Sequence, residues 1–163
     1  MIFLDTNIWI ELLAVKSPVK PHEVSQARRA AEFIKGNEER IVTCKNQLLE
    51  IFNAIQKIKR KEFSDRLKQE GCKGLSSVKE FRGCKEFSDA VAVCNLVMND
   101  IRLLATVADD FTIDVDFILK NLQFADINDN MYLKYCIDNG VKLYTFDKEL
   151  AEHFGARGMV VLL

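Results

Sequence analysis

Short apolar runs separated by long stretches of helical periodicity leave this chain few folds to choose from. Ile2-Phe3-Leu4 and Ile41-Val42-Thr43 are too short for helices and read as buried strands. Residues 102–106, 141–145 and 159–163 read the same way. Between the strands, apolar residues recur at helical intervals. Val24, Ala27, Ala31 and Ile34 mark one face of a helix over 22–35 that Gly36 closes. Leu48, Ile51, Phe52, Ile55 and Ile58 mark another over 48–58. Residues 8–15, 87–98, 110–122, 126–138 and 148–154 are further helices, with Asn139-Gly140 as a left-handed stop and Pro18 and Pro21 in a loop. Short apolar strands alternating with helices imply an α/β fold whose parallel sheet is covered on both faces.

The 163 residues fit one domain over 1–163, with no repeat or low-complexity tract to divide it. Residues 59–85, richer in charge and weaker in periodicity, read as a helical insertion. A formal net charge of −1 excludes a uniformly basic nucleic-acid binder. A polyanion would have to be held by a local basic patch or through cations. The 5 cysteines form no CxxC pair and are odd in number, which argues against a disulfide framework or a zinc site. Reduced thiols, mostly buried as small apolar groups, are expected. The expectation is a cytoplasmic protein, since no basic leader precedes the first strand and no apolar run approaches the roughly 20 residues that cross a bilayer.

Ligands of a parallel α/β sheet gather outside the carboxyl ends of its strands. Asp5 directly follows the first strand and interrupts an apolar run, and Asp147 lies just beyond residues 141–145. Asp129 lies in the first turn of the helix before that strand, and Glu50 in the first turns of the helix after the second strand. Four carboxylates brought to one point repel one another and raise each other's pKa values, a conflict that Mg²⁺ or Mn²⁺ resolves. Such a cation polarises a phosphoryl oxygen and activates water, the chemistry of phosphodiester hydrolysis. Each acid also has a plainer reading: Asp5 as a helix cap, Glu50 and Asp129 as solvated residues near helix N-termini.

These residues resemble the PIN domain family. The resemblance rests on Asp5-Thr6-Asn7-Ile8-Trp9 after the first strand, and on Thr43 with Leu48-Leu49-Glu50-Ile51 around the second acid. It continues through Phe124-Ala125-Asp126, Asp129, Gly140 and Leu143-Tyr144-Thr145-Phe146-Asp147-Lys148-Glu149-Leu150. It implies a three-layer α/β/α sandwich around a parallel sheet of about four to five strands. It implies, further, a VapC-like endoribonuclease dependent on Mg²⁺ or Mn²⁺, with Asp5, Glu50, Asp129 and Asp147 as its catalytic and metal-binding acids. Asn7 and Thr145 match positions that support the metal and its waters. Asp126 lies three residues before Asp129 and either fits the third acid; the distance to Asp147 favours Asp129, with Asp126 as a cap or auxiliary. Glu149 reads as a surface acid. The implied partners are an RNA substrate, an antitoxin protein and a second copy of the chain, while other relatives act in RNA processing. The segment 59–85 has no counterpart in the smallest toxins of the family.

That segment and its approach carry Lys57, Lys59, Arg60, Lys61, Arg66 and Lys68, interleaved with Glu62, Asp65 and Glu70. The run reads either as a grip on an RNA backbone or as a solvated helix face. His22 and His153 belong to no constellation. A phosphatase using Asp5 as nucleophile would need an acid where Asn7 stands. A PIN-like scaffold that binds RNA or protein without catalysis is the remaining alternative.

Overall fold

The computed structural model describes residues 1–13, 15, 20–108 and 110–163; Pro18 and part of the helix expected over 8–15 lie outside them. Five parallel strands, β1 (Ile2–Leu4), β2 (Ile41–Cys44), β3 (Ala105–Ala108), β4 (Lys142–Thr145) and β5 (Val160–Leu162), form one sheet in the order β3-β2-β1-β4-β5. Helices α1 (Thr6–Leu12) and α2 (Pro21–Gly36) lie between β1 and β2. Helices α3 (Lys45–Gln69), α4 (Val78–Phe81) and α5 (Phe87–Leu104) lie between β2 and β3. Helices α6 (Val115–Asn121) and α7 (Ile127–Asn139) carry the chain back across the sheet to β4, and α8 (Lys148–Phe154) follows it.

The chain therefore winds outward from β1 in one direction and from β4 in the other. The reversal falls between these two strands, which pair Ile2 with Lys142 and Leu4 with Tyr144. In open parallel sheets a crevice forms outside the carboxyl ends at that point.

Successive strand residues face opposite sides of the sheet. Ile2 and Leu4 pack with Trp9, Ala30, Ile51, Ile55 and Ile101 from α1, α2, α3 and α5. Phe3 packs on the other face with Ile118, Leu133, Leu150 and Phe154 from α6, α7 and α8. Helices thus cover both faces, making the three layers of an α/β/α sandwich. Among the described residues, no helix is long and apolar enough to cross a membrane.

Several elements differ from the sequence expectation for identifiable reasons. Residues 102–104 complete α5, and the strand begins only at Ala105. The helix expected over 110–122 starts at Val115, where Asp114 caps it by accepting from Phe117 N–H at 2.9 Å. The inward face of α2 is rotated from the expected stripe: Val24 and Ala31 are exposed, while Ala30 is buried and Phe33 packs on Tyr144 with ring centroids 4.6 Å apart. The larger ring decides which face turns inward. Of the cysteines, Cys44 and Cys136 are buried, whereas Cys72 is exposed.

The segment 59–85 begins as an unbroken continuation of α3. It turns at Gly71, whose φ of 78° favours glycine, and folds back so that Leu75 N–H donates to Ser64 Oγ at 3.0 Å. Phe81 is buried, with its ring 5.9 Å from that of Phe63 and 5.5 Å from that of Phe87. Most of the basic run is committed locally. Lys59 pairs with Glu62 at 2.8 Å and Arg60 donates to the Leu75 carbonyl at 2.8 Å. Lys68 stands 3.7 Å from Asp65, and Arg66 lies over the Phe63 ring.

Candidate active site

Asp5 sits where β1 stops, and its N–H still donates to the Tyr144 carbonyl at 2.9 Å. That ladder bond holds it beside the last residues of β4. It occupies the N-cap position of α1 with extended backbone, yet its side chain makes no capping hydrogen bond. The carboxylate turns instead to β4: Oδ2 accepts from Thr145 Oγ1 at 2.6 Å and from Asn7 Nδ2 at 2.6 Å. Asn7 also donates to Thr145 Oγ1 at 3.1 Å and accepts from Phe146 N–H at 3.2 Å, stitching α1 to the end of β4.

Thr145 Oγ1 accepts in addition from Asp147 N–H at 2.9 Å. Asp147 caps α8, its Oδ1 accepting from the N–H groups of Glu149 and Leu150 at 2.8 and 3.1 Å. Glu149 is exposed on the first turn of α8.

Glu50 reaches the same place from α3. Gln47, one turn earlier and fully buried, donates to the Leu4 carbonyl at 2.7 Å and accepts from Thr43 Oγ1 at 2.6 Å. This pair of bonds fixes α3 against the end of β1, next to Asp5. The Glu50 carboxylate accepts from Tyr132 Oη at 2.6 Å. Tyr132 belongs to α7, one turn beyond Asp129, and its ring stacks on Phe3 with centroids 5.2 Å apart.

Asp126 and Asp129 are given different surroundings. Asp126 is the exposed N-cap of α7, its Oδ1 accepting from Asp129 N–H at 2.9 Å. Asp129 is half-buried and faces inward. Asp5, Glu50, Asp129 and Asp147 all line one cavity of about 370 Å³, together with Asn7 and Glu11. Asp126 lines the neighbouring cleft instead.

The electrostatics follow from this crowding. Burial pushes the Asp5 carboxyl from its ordinary 3.8 to about 6; Glu50 and Asp147 add repulsion, while the Thr145 hydrogen bond works in the other direction. Asp129 rises to about 8, first through burial and then through the charges of Asp5, Asp126, Glu50 and Asp147. Burial also pushes the Tyr132 hydroxyl up, with the Glu50 carboxylate beside it acting in the same sense. Among the described residues no Lys or Arg lines this cavity.

Among those residues, no three His, Cys, Asp or Glu side chains are grouped so as to hold a metal ion as they stand. The hydrogen bonds explain why. Glu50 leans to Tyr132, Asp147 to the N-terminus of α8 and Asp5 to Thr145, and repulsion keeps the charges apart. The donor set nonetheless suits a hard divalent cation: oxygen ligands, excess negative charge and, among the described residues, no basic side chain in the lining.

Three contributors are not singled out by the sequence. Tyr132 lies three residues after Asp129, Gln47 three before Glu50 and Glu11 four after Asn7, each on the helix face of a residue already chosen. That spacing is the signal that could have found them.

A family model described as PIN domain matches residues 2–154 of the chain. A search of the curated proteins found no match.

Proposed function

The chain belongs to the PIN domain family, whose members are generally nucleases, and from that premise we propose that it is an endoribonuclease dependent on Mg²⁺ or Mn²⁺. One observation carries the reading: Asp5, Glu50, Asp129 and Asp147, drawn from four separate elements, face one cavity at the sheet's reversal point. A carboxylate cluster that raises Asp129 to about 8 stabilises nothing by itself, and a counter-charge gives it a purpose.

A divalent cation bound there supplies Lewis-acid chemistry, offsetting phosphate charge and lowering the pKa of water. Asp5 and Asp147, linked through Thr145, would hold it. Glu50, steadied by Tyr132, orients the attacking water. Asp129, facing the same cavity, would take the proton from that water as its oxygen bonds to phosphorus and the P–O bond to the leaving ribose oxygen breaks, that oxygen drawing its proton from solvent. Asn7 and Thr145 keep the Asp5 carboxylate from rotating.

The test is cleavage of end-labelled RNA with Mn²⁺, with EDTA and with Asp5→Asn. Cleavage confined to wild type with Mn²⁺ is expected; equal cleavage by Asp5→Asn would overturn the assignment. The competing reading, a scaffold without catalysis, draws on the spacing of the acids as they stand. It predicts that calorimetry finds no Mn²⁺ binding that depends on Asp5 or Asp129. The narrower form of the nuclease reading is a cytoplasmic toxin restrained by an antitoxin and acting as a homodimer. Copurification of a small partner and the solution mass of the assembly test it.

A further inference from the structure

Beside the carboxylate cavity lies a second cleft, of about 520 Å³, that shares Glu50 and Ala54 with it. Its volume falls in the range of roughly 300–1,000 Å³ seen for small-ligand sites. Residues 46, 50, 53 and 57 recur at four, three and four, so Asn46, Glu50, Asn53 and Lys57 form one row along α3. The facing wall is the first turns of α7, with Asn128 and Asp126. Leu49 and Met131 supply the apolar surface between the polar groups.

Among the described residues, none of the three carboxamides and not the Lys57 ammonium is engaged in a hydrogen bond or ion pair within the chain. Lys57 shares this with Lys61, which does not line the cleft, and differs from Lys59, Arg60 and Lys68, which are tied to Glu62, the Leu75 carbonyl and Asp65. The cleft therefore offers an outside molecule three donor–acceptor groups and one positive charge, with the carboxylates of Glu50 and Asp126 beside them. A carboxamide presents a donor and an acceptor side by side, the pattern that matches a base edge two bonds at a time. Apolar side chains beside such groups can receive the face of a base. A lysine at the rim suits a phosphate as a point charge.

We propose that this cleft holds the nucleobase next to the scissile phosphate, with Asn46, Asn53 and Asn128 reading its edge and Lys57 taking a backbone phosphate. The inference rests on the ribonuclease reading above and adds where sequence preference comes from. Glu50 stands at the boundary of the two cavities, so a base seated in the cleft places its own phosphate at the carboxylates. The base is taken from a single strand, since a paired one could not present its edge to a protein cleft.

Two measurements test it separately from the nuclease reading. The first follows the side-chain amide resonances of Asn46, Asn53 and Asn128 as short single-stranded oligoribonucleotides are added, to wild type in EDTA and to Asp5→Asn in Mg²⁺. Shifts at these groups, with Asn95 and Asn99 of α5 unmoved, are expected. Silence at all three in both samples overturns the proposal, whether or not the protein cuts RNA. The second compares cut sites in a random-sequence RNA pool. Wild type should show a base preference beside the cut, and Asn53→Ala combined with Asn128→Ala should relax it roughly tenfold. Lys57→Ala should slow all sites evenly. Cleavage with the same preference in wild type and the double variant would overturn the cleft assignment and leave the ribonuclease reading standing.

Discussion

Thr145 Oγ1 donates to Asp5 Oδ2 at 2.6 Å, joining the carboxyl ends of β4 and β1 by a side-chain bond just past the point where their ladder stops. The same oxygen accepts from Asn7 Nδ2 and from Asp147 N–H, so its one donor and both acceptor positions are in use. Two of the acidic residues are thereby set by a single hydroxyl that no solvent reaches. Thr145→Val keeps the shape and removes all three bonds. RNA cleavage should fall about 10- to 100-fold, the scale seen when groups that orient metal ligands are lost. Stability should drop by about 1–3 kcal/mol, as buried donors are left unpaired. Thermal melts and initial rates check both, and an unchanged rate would sever Thr145 from the site.

Tyr132 holds Glu50 through its hydroxyl while its ring belongs to the core. Tyr132→Phe separates the two roles. Packing against Phe3 and Phe111 survives, so the melting temperature should move by no more than the equivalent of about 1 kcal/mol. The released Glu50 should lower kcat about tenfold, with KM for RNA little changed. Loss of stability without loss of rate would assign the hydroxyl a purely structural part.

The proton affinities at Asp129 and Asp5 make stability without metal depend on pH. An unfolded Asp titrates near 3.8, whereas folded Asp129 titrates at about 8 and Asp5 at about 6. Between those limits the folded protein keeps protons that the unfolded chain has released. The fold is therefore favoured at acid pH and loses stability as pH rises from about 4 to about 8. Asp129→Asn removes the larger contribution. Screening at this half-buried position limits the gain at pH 8 to on the order of 1–2 kcal/mol. Melts in EDTA across that range should show a flatter curve for the variant, and a parallel curve would refute the crowding.

How much of this could be read from the residues depends on what each contributes. Asp5 and Asp147 are legible because each follows an apolar run too short to be anything but a strand, and a parallel sheet has one end where ligands bind. Glu50 is legible from helix register. Tyr132 and Gln47 carry only the signal of helix spacing, because an aromatic or a carboxamide inside an apolar stripe looks like core until its hydrogen-bond partner is known. Asp126 and Asp129 share one turn, and the structure tells them apart: Asp126 is the exposed cap that accepts from Asp129 N–H, and Asp129 faces the carboxylate cavity. In 59–85 the charged composition conceals Phe63 and Phe81, which pack on each other, and Phe81 in turn meets Phe87 of α5. The α2 stripe misleads because residue spacing cannot say that Phe33 will lie on Tyr144.

Metal addition should release protons as well as heat. Near pH 7 Asp129, at about 8, is mostly protonated, and Asp5, at about 6, is mostly charged. A cation among them favours the charged form of every carboxylate, so each binding event should expel close to one proton, most of it from Asp129. Calorimetry in two buffers of different ionisation enthalpy counts that proton directly. The count should shrink as pH rises past 8 and should fall sharply in Asp129→Asn. Binding should also stabilise the fold by about 2.7 kcal/mol when Mn²⁺ stands at a hundredfold over its Kd. At 2–4 °C per kcal/mol for a chain of this size, that raises Tm by roughly 5–10 °C. Asp5→Asn, lacking the acid that joins β1 to β4, should show neither the proton nor the shift. A wild-type Tm indifferent to Mn²⁺ and Mg²⁺ would remove the metal from this site.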